Sequence, residues 1–395
     1  MAARPEPGFW TKAWAVVKVL IYLYIFLCAL RLMGDGFESF GGGKGHVHEG
    51  PLGWFFDAAG ENPFVGLFAG ILVTSIVQSS SVTTSAIVML VASGVLDVRT
   101  AVPMVMGANI GTTVTCAIVS LTHVRHRPDF RRAYSAASIH DFFNIMAVLI
   151  LLPLEIFLHP LERMATGIGE AASWVSLGWN VKYANPVKMA VEPTVGFLRW
   201  LLAFVLPEAS VAMTVVLIVL GLILIFVALA RMTGIMKSIL LPQLERLLDG
   251  VLLKRAMLAM LLGCAFTALI QSSSVTTSLM VPLVAAGVVS LRKVFPFILG
   301  ANVGTTVTAL LGSMAAGTPE GVNWGFVIAT VHLLFNLAGI LIIYGIKPLR
   351  EVPILLAEGM AAAVAKRRSL AIVYIGVVFF ILPLALILLS QLAKR

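Results

Sequence analysis

The sequence predicts an all-α polytopic membrane protein, made of two inverted repeats that each hold a re-entrant helical hairpin and a broken transmembrane helix. The chain is 59% hydrophobic and only 12% charged, whereas soluble domains carry about 25% charged residues. Its most polar stretch, QSSSVTTS at residues 78–85, recurs unchanged at residues 271–278. A duplicated polar segment in so apolar a chain indicates a function within the bilayer. The net charge of +9 does not indicate a nucleic-acid partner, because the basic residues cluster in short loops.

The duplication extends beyond this octapeptide. GANIGTT at residues 107–113 pairs with GANVGTT at residues 300–306, and this pair, like the octapeptides, is 193 positions apart. After a one-residue slip, IHDFFN at residues 139–144 pairs with VHLLFN. Two related parts of the chain, which we call the first copy and the second copy, are therefore expected to build one common structure.

Two apolar segments are too long for single spans and are polar at their centres. Residues 62–96 and 256–289 each enclose one octapeptide, whereas a membrane helix needs about 20 apolar residues. Two half-length helices that meet at the polar run fit this pattern better. Non-helical backbone at membrane depth is tolerated only inside protein or beside water, so each segment predicts a re-entrant hairpin.

Seven further segments predict full spans. The second and fifth of them contain Gly-Ala-Asn-(Ile/Val)-Gly, and we expect both helices to be broken there. The spans are assigned to residues 14–33, 102–121, 134–158, 209–230, 295–314, 326–346 and 370–392.

The connecting segments predict the orientation. Basic residues cluster at 125–132, 231–255 and 347–369, which places these connectors in the cytoplasm. An external loop is then expected at residues 159–207, with its tryptophans at the membrane interface. Three spans separate the two hairpins, so the copies have opposite orientations, which is typical of secondary transporters. The chain divides into a first repeat, a second repeat and a final span, at residues 1–158, 208–346 and 370–395.

The loop at residues 34–62 contains His46, His48 and Glu49. These residue types can bind a metal ion. A glycine-rich loop without further ligands is more often solvated, so no metal site is predicted there.

The duplicated motifs resemble those of a known family. The two Gln-Ser-Ser-Ser stretches, the two Gly-Ala-Asn-(Ile/Val)-Gly-Thr-Thr stretches and HDFFN at residues 140–144 are similar to the motifs of the type II sodium–phosphate cotransporters. The similarity covers residues 17–384 and indicates a bacterial member. The chain differs from vertebrate members in its shorter external loop and in stopping after the seventh span.

The resemblance implies a secondary active transporter rather than an enzyme. Such a protein takes up inorganic phosphate together with sodium by alternating access. It is a multi-pass protein of the plasma membrane or the bacterial inner membrane. The implied partners are phosphate, the co-transported sodium ions and the lipid bilayer, and the sequence leaves the oligomeric state open.

The hairpin tips have the chemistry of an anion site. Serine hydroxyls and the free N–H groups at a helix N-terminus donate hydrogen bonds to anions, and neither tip contains Lys or Arg. The resemblance implies that the tip serines bind phosphate, and the Asn residues of the broken helices are expected to face the same centre. The predicted phosphate contacts are Gln78, Ser79, Ser80, Ser81, Ser272, Ser273, Ser274, Asn109 and Asn302.

Co-bound cations must compensate the charge of a phosphate dianion at this depth. Hydroxyl, amide and carbonyl oxygens are hard ligands that suit sodium. His140 and His332 are instead expected to be hydrogen-bonded interior side chains. The resemblance implies two sodium sites, one formed by Thr112, Gln271, Ser272, Thr305 and Thr308 and another formed by Asp141 with Asn144.

Asp141 has Leu333 as its counterpart, so only the first copy carries the acid. A phosphate dianion and a deprotonated Asp141 together bring three negative charges, which three sodium ions would neutralise. Because buried net charge is costly, we expect three sodium ions per phosphate. The empty carrier would then return with one negative charge, so the cycle would be electrogenic.

Other function classes fit the residues less well. A channel filter is a ring of equivalent loops, whereas this chain has two inverted copies. An intramembrane serine hydrolase needs one activated serine beside a histidine base, and no Gly-x-Ser-x-Gly motif occurs. A sodium-coupled transporter of another oxyanion, such as sulfate or arsenate, stays open as the alternative.

Overall fold

The computed structural model describes residues 9–40, 58–178, 186–207, 210–251, 255–316 and 322–392. Over these residues the chain is helical apart from short turns. Seven helices are long and apolar enough to cross a membrane, and each overlaps one predicted span. The predicted class of all-α polytopic membrane protein is confirmed. The loop that holds His46, His48 and Glu49 lies outside the described residues.

The α-helices are numbered along the described chain. The first copy and the segment after it contain α1 Phe9–Phe40, α2 Pro63–Val77, α3 Ser80–Ala92, α4 Val98–Ile110, α5 Val114–Leu121, α6 Arg127–Leu158, α7 Pro160–Gly178 and α8 Pro186–Ala203. The rest contains α9 Val211–Val251, α10 Ala256–Ile270, α11 Ser273–Ser278, α12 Met280–Ala285, α13 Leu291–Ala315, α14 Trp324–Gly339, α15 Lys347–Lys366, α16 Ser369–Gly376 and α17 Leu382–Leu392.

The predicted half-length helices are present in both copies. Helices α2 and α3 meet at the first octapeptide, and we call them the first helix pair. In the second copy, α10 is one arm, and α11 followed by α12 is the other arm. The two arms meet at the second octapeptide, and we call them the second helix pair. Asn62 starts the first pair, because its side chain accepts a hydrogen bond from the N–H of Phe64 at 3.0 Å.

The segment at residues 159–207, predicted to be an external loop, is mostly helical, since α7 and α8 occupy most of it. The Glu155 carboxylate starts α7 by accepting hydrogen bonds from the N–H groups of Leu161 and Glu162, at 2.8 and 2.9 Å. His159 adopts the left-handed conformation, with φ of 52°, and turns the chain between α6 and α7. Trp200 in α8 is 57% exposed, which is compatible with a place at the membrane interface.

The connectors at 231–255 and 347–369 are also largely helical. Helix α9 continues to Val251 and α15 fills the second connector.

Paired glycines bring the first helix of each pair against the following span. A Cβ atom on Gly107 would lie 2.0 Å from the carbonyl oxygen of Leu67, and one on Gly300 would lie 1.8 Å from that of Met260. Only a hydrogen atom fits at such distances. The backbones of α2 and α4, and those of α10 and α13, therefore pack directly against each other, as small residues allow in membrane helices.

The prediction of two broken spans is wrong in the second copy, because α13 runs without interruption from Leu291 to Ala315. In the first copy the change is one 3₁₀ turn, Gly111–Thr113, between α4 and α5. The glycines serve close packing here rather than an opening of the backbone. Thr112 and Thr305 also donate hydrogen bonds to carbonyls one turn earlier, at 3.2 and 3.1 Å, within the helix.

Candidate functional site

The two octapeptides form the same turn. Gln78 and Gln271 adopt the left-handed conformation, with φ of 58° and 61°, and end the first helix of each pair. Ser79 and Ser272 are extended N-caps of the next helix, and each hydroxyl accepts a hydrogen bond, at 3.3 Å, from the N–H three residues later. The identical sequence thus produces an identical pair of caps, because both motifs act through local hydrogen bonds.

The glutamine side chains tie each turn to a span of its own copy. The Gln78 carbonyl oxygen Oε1 accepts a hydrogen bond from Thr115 at 3.0 Å, and that of Gln271 accepts one from Thr308 at 2.7 Å. Each amide nitrogen donates to the backbone of the preceding helix turn. Thr115 was not among the predicted residues, although it lies 193 positions before Thr308 and the repeat offset identifies it.

The two tips contact each other. The Ser81 hydroxyl lies 3.5 Å from the backbone oxygen of Gln271 and 3.5 Å from the hydroxyl of Thr308. Ser81 is 3% exposed and Gln271 is 6% exposed. The structure therefore brings three of the predicted site residues, from both copies, into one buried cluster of oxygens. Ser80, Ser273 and Ser274 are buried in the same two turns.

A second cluster links the Asn and His residues across the copies. The His140 ring contacts the amide oxygen of Asn302, and Asn302 donates to Asn144 at 2.9 Å. Asn144 donates to the backbone oxygen of Asn109 at 2.9 Å, and His332 contacts the side-chain oxygen of Asn109 at 3.2 Å. The histidines are hydrogen-bonded interior groups, as predicted. Each of them holds the Asn of the other copy.

The threonine hydroxyls of the predicted sodium site keep lone pairs that are available to coordinate a cation. Thr112 and Thr305 donate their protons to carbonyls of their own helices, and Thr308 donates its proton to Gln271. A hydroxyl that donates still has lone pairs. These oxygens can therefore coordinate a cation without rearrangement of the hydrogen bonds.

Asp141 is 1% exposed, and its Oδ1 atom has no hydrogen-bond partner among the described residues. The Tyr374 hydroxyl faces the Asp141 carboxyl, and the charge of Asp141 also reaches the Tyr134 hydroxyl and the Cys116 thiol. Asn144, its predicted partner at a sodium ion, is engaged instead in the Asn–His cluster. An unpaired buried carboxylate oxygen is rare in folded proteins and suits a bound cation.

Two residues near Asp141 come from other helices and were not predicted. Tyr374 comes from α16 in the final span, which the duplication does not include. Cys116 contacts the hydroxyl of Thr277 in the second helix pair at 3.1 Å. No sequence motif connects these residues to Asp141, because the fold alone brings their helices together.

Comparison with known proteins places the chain in a family. It matches the Na+/Pi-cotransporter family over residues 25–177 and 223–391. It is 31% identical to sodium-dependent phosphate transport protein 2B of Homo sapiens, over 95% of this chain and 65% of that protein. It is 33% identical to sodium-dependent phosphate transport protein 2A of Ovis aries, over 96% of this chain and 69% of that protein.

The chain therefore spans about two thirds of the length of these relatives. No solved structure has significant similarity to it. The match covers both copies of the duplicated unit and the final span, so the chain belongs to the Na+/Pi-cotransporter family.

Proposed function

We propose that this protein is a secondary transporter that couples the inward movement of sodium ions to the uptake of inorganic phosphate by alternating access. The contact between the two octapeptide tips, through Ser81, Gln271 and Thr308, carries this proposal. It joins anion donors and cation ligands from both copies in one buried place. The relatives' names, which describe sodium-dependent phosphate transport, support the same conclusion.

Phosphate binds at the two tips in this proposal. The first turn of a helix has free N–H groups and a positive dipole end, and the octapeptide adds hydroxyls at the same point. Ser79, Ser80 and Ser81 face one side of the ion, and the second tip faces the other. The further contacts are Gln78, Ser272, Ser273, Ser274, Asn109 and Asn302.

Sodium ions bind beside the phosphate and offset its charge. The amide oxygen of Gln271 and the hydroxyl of Thr308 are already 2.7 Å apart, so they can share one ion. Thr112, Ser272 and Thr305 complete this site in the proposal.

The two copies have opposite orientations in the membrane, and each helix pair is a re-entrant hairpin. The equivalent backbone geometry of the two turns supports an internal repeat. In this proposal the basic connectors at residues 125–132, 231–255 and 347–369 lie in the cytoplasm, in keeping with the positive-inside rule. The repeats take residues 1–158 and 208–346, and the protein resides in the plasma membrane or the bacterial inner membrane.

Asp141 binds a third sodium ion and makes transport electrogenic. Its unpaired Oδ1 atom supports this role, and Asn144 lies three residues further along the same helix. Each charge that crosses 100 mV gains about 2.3 kcal/mol. Replacing Asp141 by Asn should leave sodium-dependent uptake but remove its voltage dependence, with two sodium ions per phosphate.

The voltage test uses proteoliposomes clamped at several potentials with potassium and valinomycin. Sodium and phosphate fluxes are measured together. Unchanged voltage dependence in the Asp141→Asn variant would assign Asp141 to a structural role instead.

Uptake of radiolabelled phosphate into proteoliposomes tests the main proposal. Uptake should require external sodium and fail with potassium or choline. Equal uptake in potassium would contradict sodium coupling. If excess sulfate or arsenate inhibits this uptake and is itself transported, the substrate would be assigned to another oxyanion instead of phosphate.

A further inference from the structure

A basic cavity opens on the predicted cytoplasmic side, away from the octapeptide tips. It has a volume of about 830 Å³ and lies between α6, α12, the start of α13 and the end of α15. The lining contains four basic residues and one acidic residue, Glu358. The basic residues are Arg127, Arg131, Arg132 and Lys366.

Two of these cations are fixed by the backbone. Arg127 donates from Nε to the carbonyl oxygen of Ala365 at 3.0 Å. Arg132 donates from Nε to the carbonyl oxygen of Ala285 at 2.8 Å, and its Nη2 contacts Asp129 at 2.7 Å. A neutral carbonyl acceptor orients the Arg127 guanidinium without cancelling its charge, whereas Asp129 offsets part of the charge of Arg132. Both guanidiniums are held in place, and Arg127 gives the cavity a preorganised positive wall.

The other two cations are uncommitted. Within the described part of the chain, Arg131 and Lys366 make no hydrogen bond or ion pair. Both are exposed at the cavity. Their charges are available to a ligand, and their removal should not disturb the fold.

Helix termini add donors to the same cavity. The long helices α6 and α13 both begin at its lining, at Arg127 and Leu291. Ser290, which precedes α13, also lines the cavity, and its side chain makes no capping hydrogen bond. Helix N-termini favour anions through free N–H groups and the helix dipole. The C-terminal ends of α12 and α15 line the same cavity and oppose this dipole. The basic side chains therefore carry the preference for a multiply charged oxyanion.

We propose that this cavity is a second anion site that binds phosphate groups on the cytoplasmic side. The transport role of this cavity, which is to hold phosphate released from the tips, rests on the proposed function. A volume of about 830 Å³ is within the range of ligand cavities and exceeds one phosphate ion. The same chemistry can therefore bind free phosphate or the phosphate of a lipid headgroup.

A cysteine in the cavity reports occupancy without any transport. Ala362 lines the cavity, and Ala362→Cys is made in a variant whose three native cysteines are replaced by Ala. The rate of modification by an anionic methanethiosulfonate is measured from the cytoplasmic face. Inorganic phosphate should slow the reaction several-fold, whereas chloride at equal ionic strength should not.

Two backgrounds test the basic residues. Arg131→Gln with Lys366→Gln should slow modification several-fold without phosphate, because the local positive potential attracts the reagent, and should abolish protection by phosphate. Arg125→Gln removes a charge from the same predicted cytoplasmic segment but lies outside the lining. It is the matched control and should behave like the parent.

The lipid composition distinguishes the two sources of phosphate. In neutral lipid alone, protection by added phosphate identifies free phosphate as a ligand. Membranes with an anionic phospholipid test whether the introduced cysteine is already protected without added phosphate. If the double variant removes that protection, the ligand is a lipid headgroup. Both outcomes support the site. Equal rates for the double variant and Arg125→Gln, with no protection in either membrane, would overturn it.

Uptake measurements separate this inference from the proposed function. The double variant should keep sodium-dependent uptake from the external face but show a several-fold higher half-saturating phosphate concentration at the cytoplasmic face. If the parent protein shows cavity protection but no sodium-dependent uptake, the transport proposal fails and the anion site stands. If uptake occurs without protection, the transport proposal stands and the anion site fails.

Discussion

The two octapeptide tips have the same sequence and the same backbone but different surroundings. Gln78 is half-buried and receives one hydroxyl, from Thr115. Gln271 is 6% exposed, receives Thr308 and is also contacted by Ser81 of the other tip. Identical local chemistry is therefore placed in unequal environments. In the proposed transporter we therefore expect the second tip to hold the sodium site, with Ser81 contributed by the first tip.

The asymmetry continues behind the tips. Asp141 in the first copy corresponds to Leu333, and Cys116 corresponds to Ala309. Helix α3 is continuous, whereas its second-copy counterpart is divided between α11 and α12 at Leu279. Pro282 explains the division, because proline lacks the N–H that would bond to the carbonyl four residues earlier.

Thiol labelling at the C-terminal ends of the two helix pairs should give the largest difference between the copies. Ser93→Cys should react with an impermeant thiol reagent only from outside, and Ala286→Cys only from inside. The cysteines are introduced singly after replacement of the three native ones. Reaction of both from one side of the membrane would refute opposite orientations.

Substitution of the packing glycines should have the next largest effect, and an equal one in both copies. Gly107→Ala and Gly300→Ala each place a Cβ atom within about 2.0 Å of a backbone oxygen. Each should cost about 3 kcal/mol, the upper end of the usual range for overpacking, because the obstructing atom is backbone, and should remove most of the folded protein. Thermal unfolding in detergent, followed by fluorescence-detected size exclusion, measures this.

Gly359→Ala in α15 is the control, because no described atom beyond the neighbouring backbone of its own helix lies within 4 Å of the added Cβ. It should leave stability unchanged or raise it slightly. Normal folding of either packing variant would show that the helices can separate freely at that glycine.

Removal of the threonine hydroxyls should distinguish the tips by a smaller factor. Thr308→Val leaves the buried oxygen of Gln271 without a donor, which costs about 1–3 kcal/mol. Sodium-dependent uptake should fall about ten-fold or more. Thr115→Val should lower it only about two- to three-fold, because water can reach Gln78 and replace the lost donor.

Thr330→Val is matched to both variants, since among the described residues the Thr330 hydroxyl bonds only to its own helix, at the carbonyl of Phe326. Its uptake should equal that of the parent. Equal losses in Thr115→Val and Thr308→Val would mean that the two tips are functionally equivalent.

Cys116→Ala should have the smallest effect. It converts the residue to the type of its counterpart, Ala309, and removes a weak contact with Thr277. The loss of stability should be about 1 kcal/mol or less, with uptake within about two-fold of the parent. A ten-fold loss of uptake at unchanged stability would instead make the thiol part of the Asp141 site.

The sequence alone determined the features that depend on local chemistry and composition. Hydropathy predicted all seven candidate spans. The polar octapeptide predicted the half-length helices, because a left-handed Gln followed by an N-capping Ser is set by neighbouring residues. The duplicated octapeptide singled out Ser81 and Gln271, and the family resemblance implied Thr308 beside them.

The tertiary structure decided which residues meet and which helices stay intact. The sequence predicted a helix break at Gly300, but this glycine is a packing contact. Its lack of a side chain makes room for the backbone of Met260, which only the tertiary structure places there. His140 finds Asn302, 162 positions away, and Tyr374 reaches Asp141 from outside the duplicated units. Such pairings leave no periodic signal in the sequence, since they depend on how whole helices pack rather than on neighbouring residues.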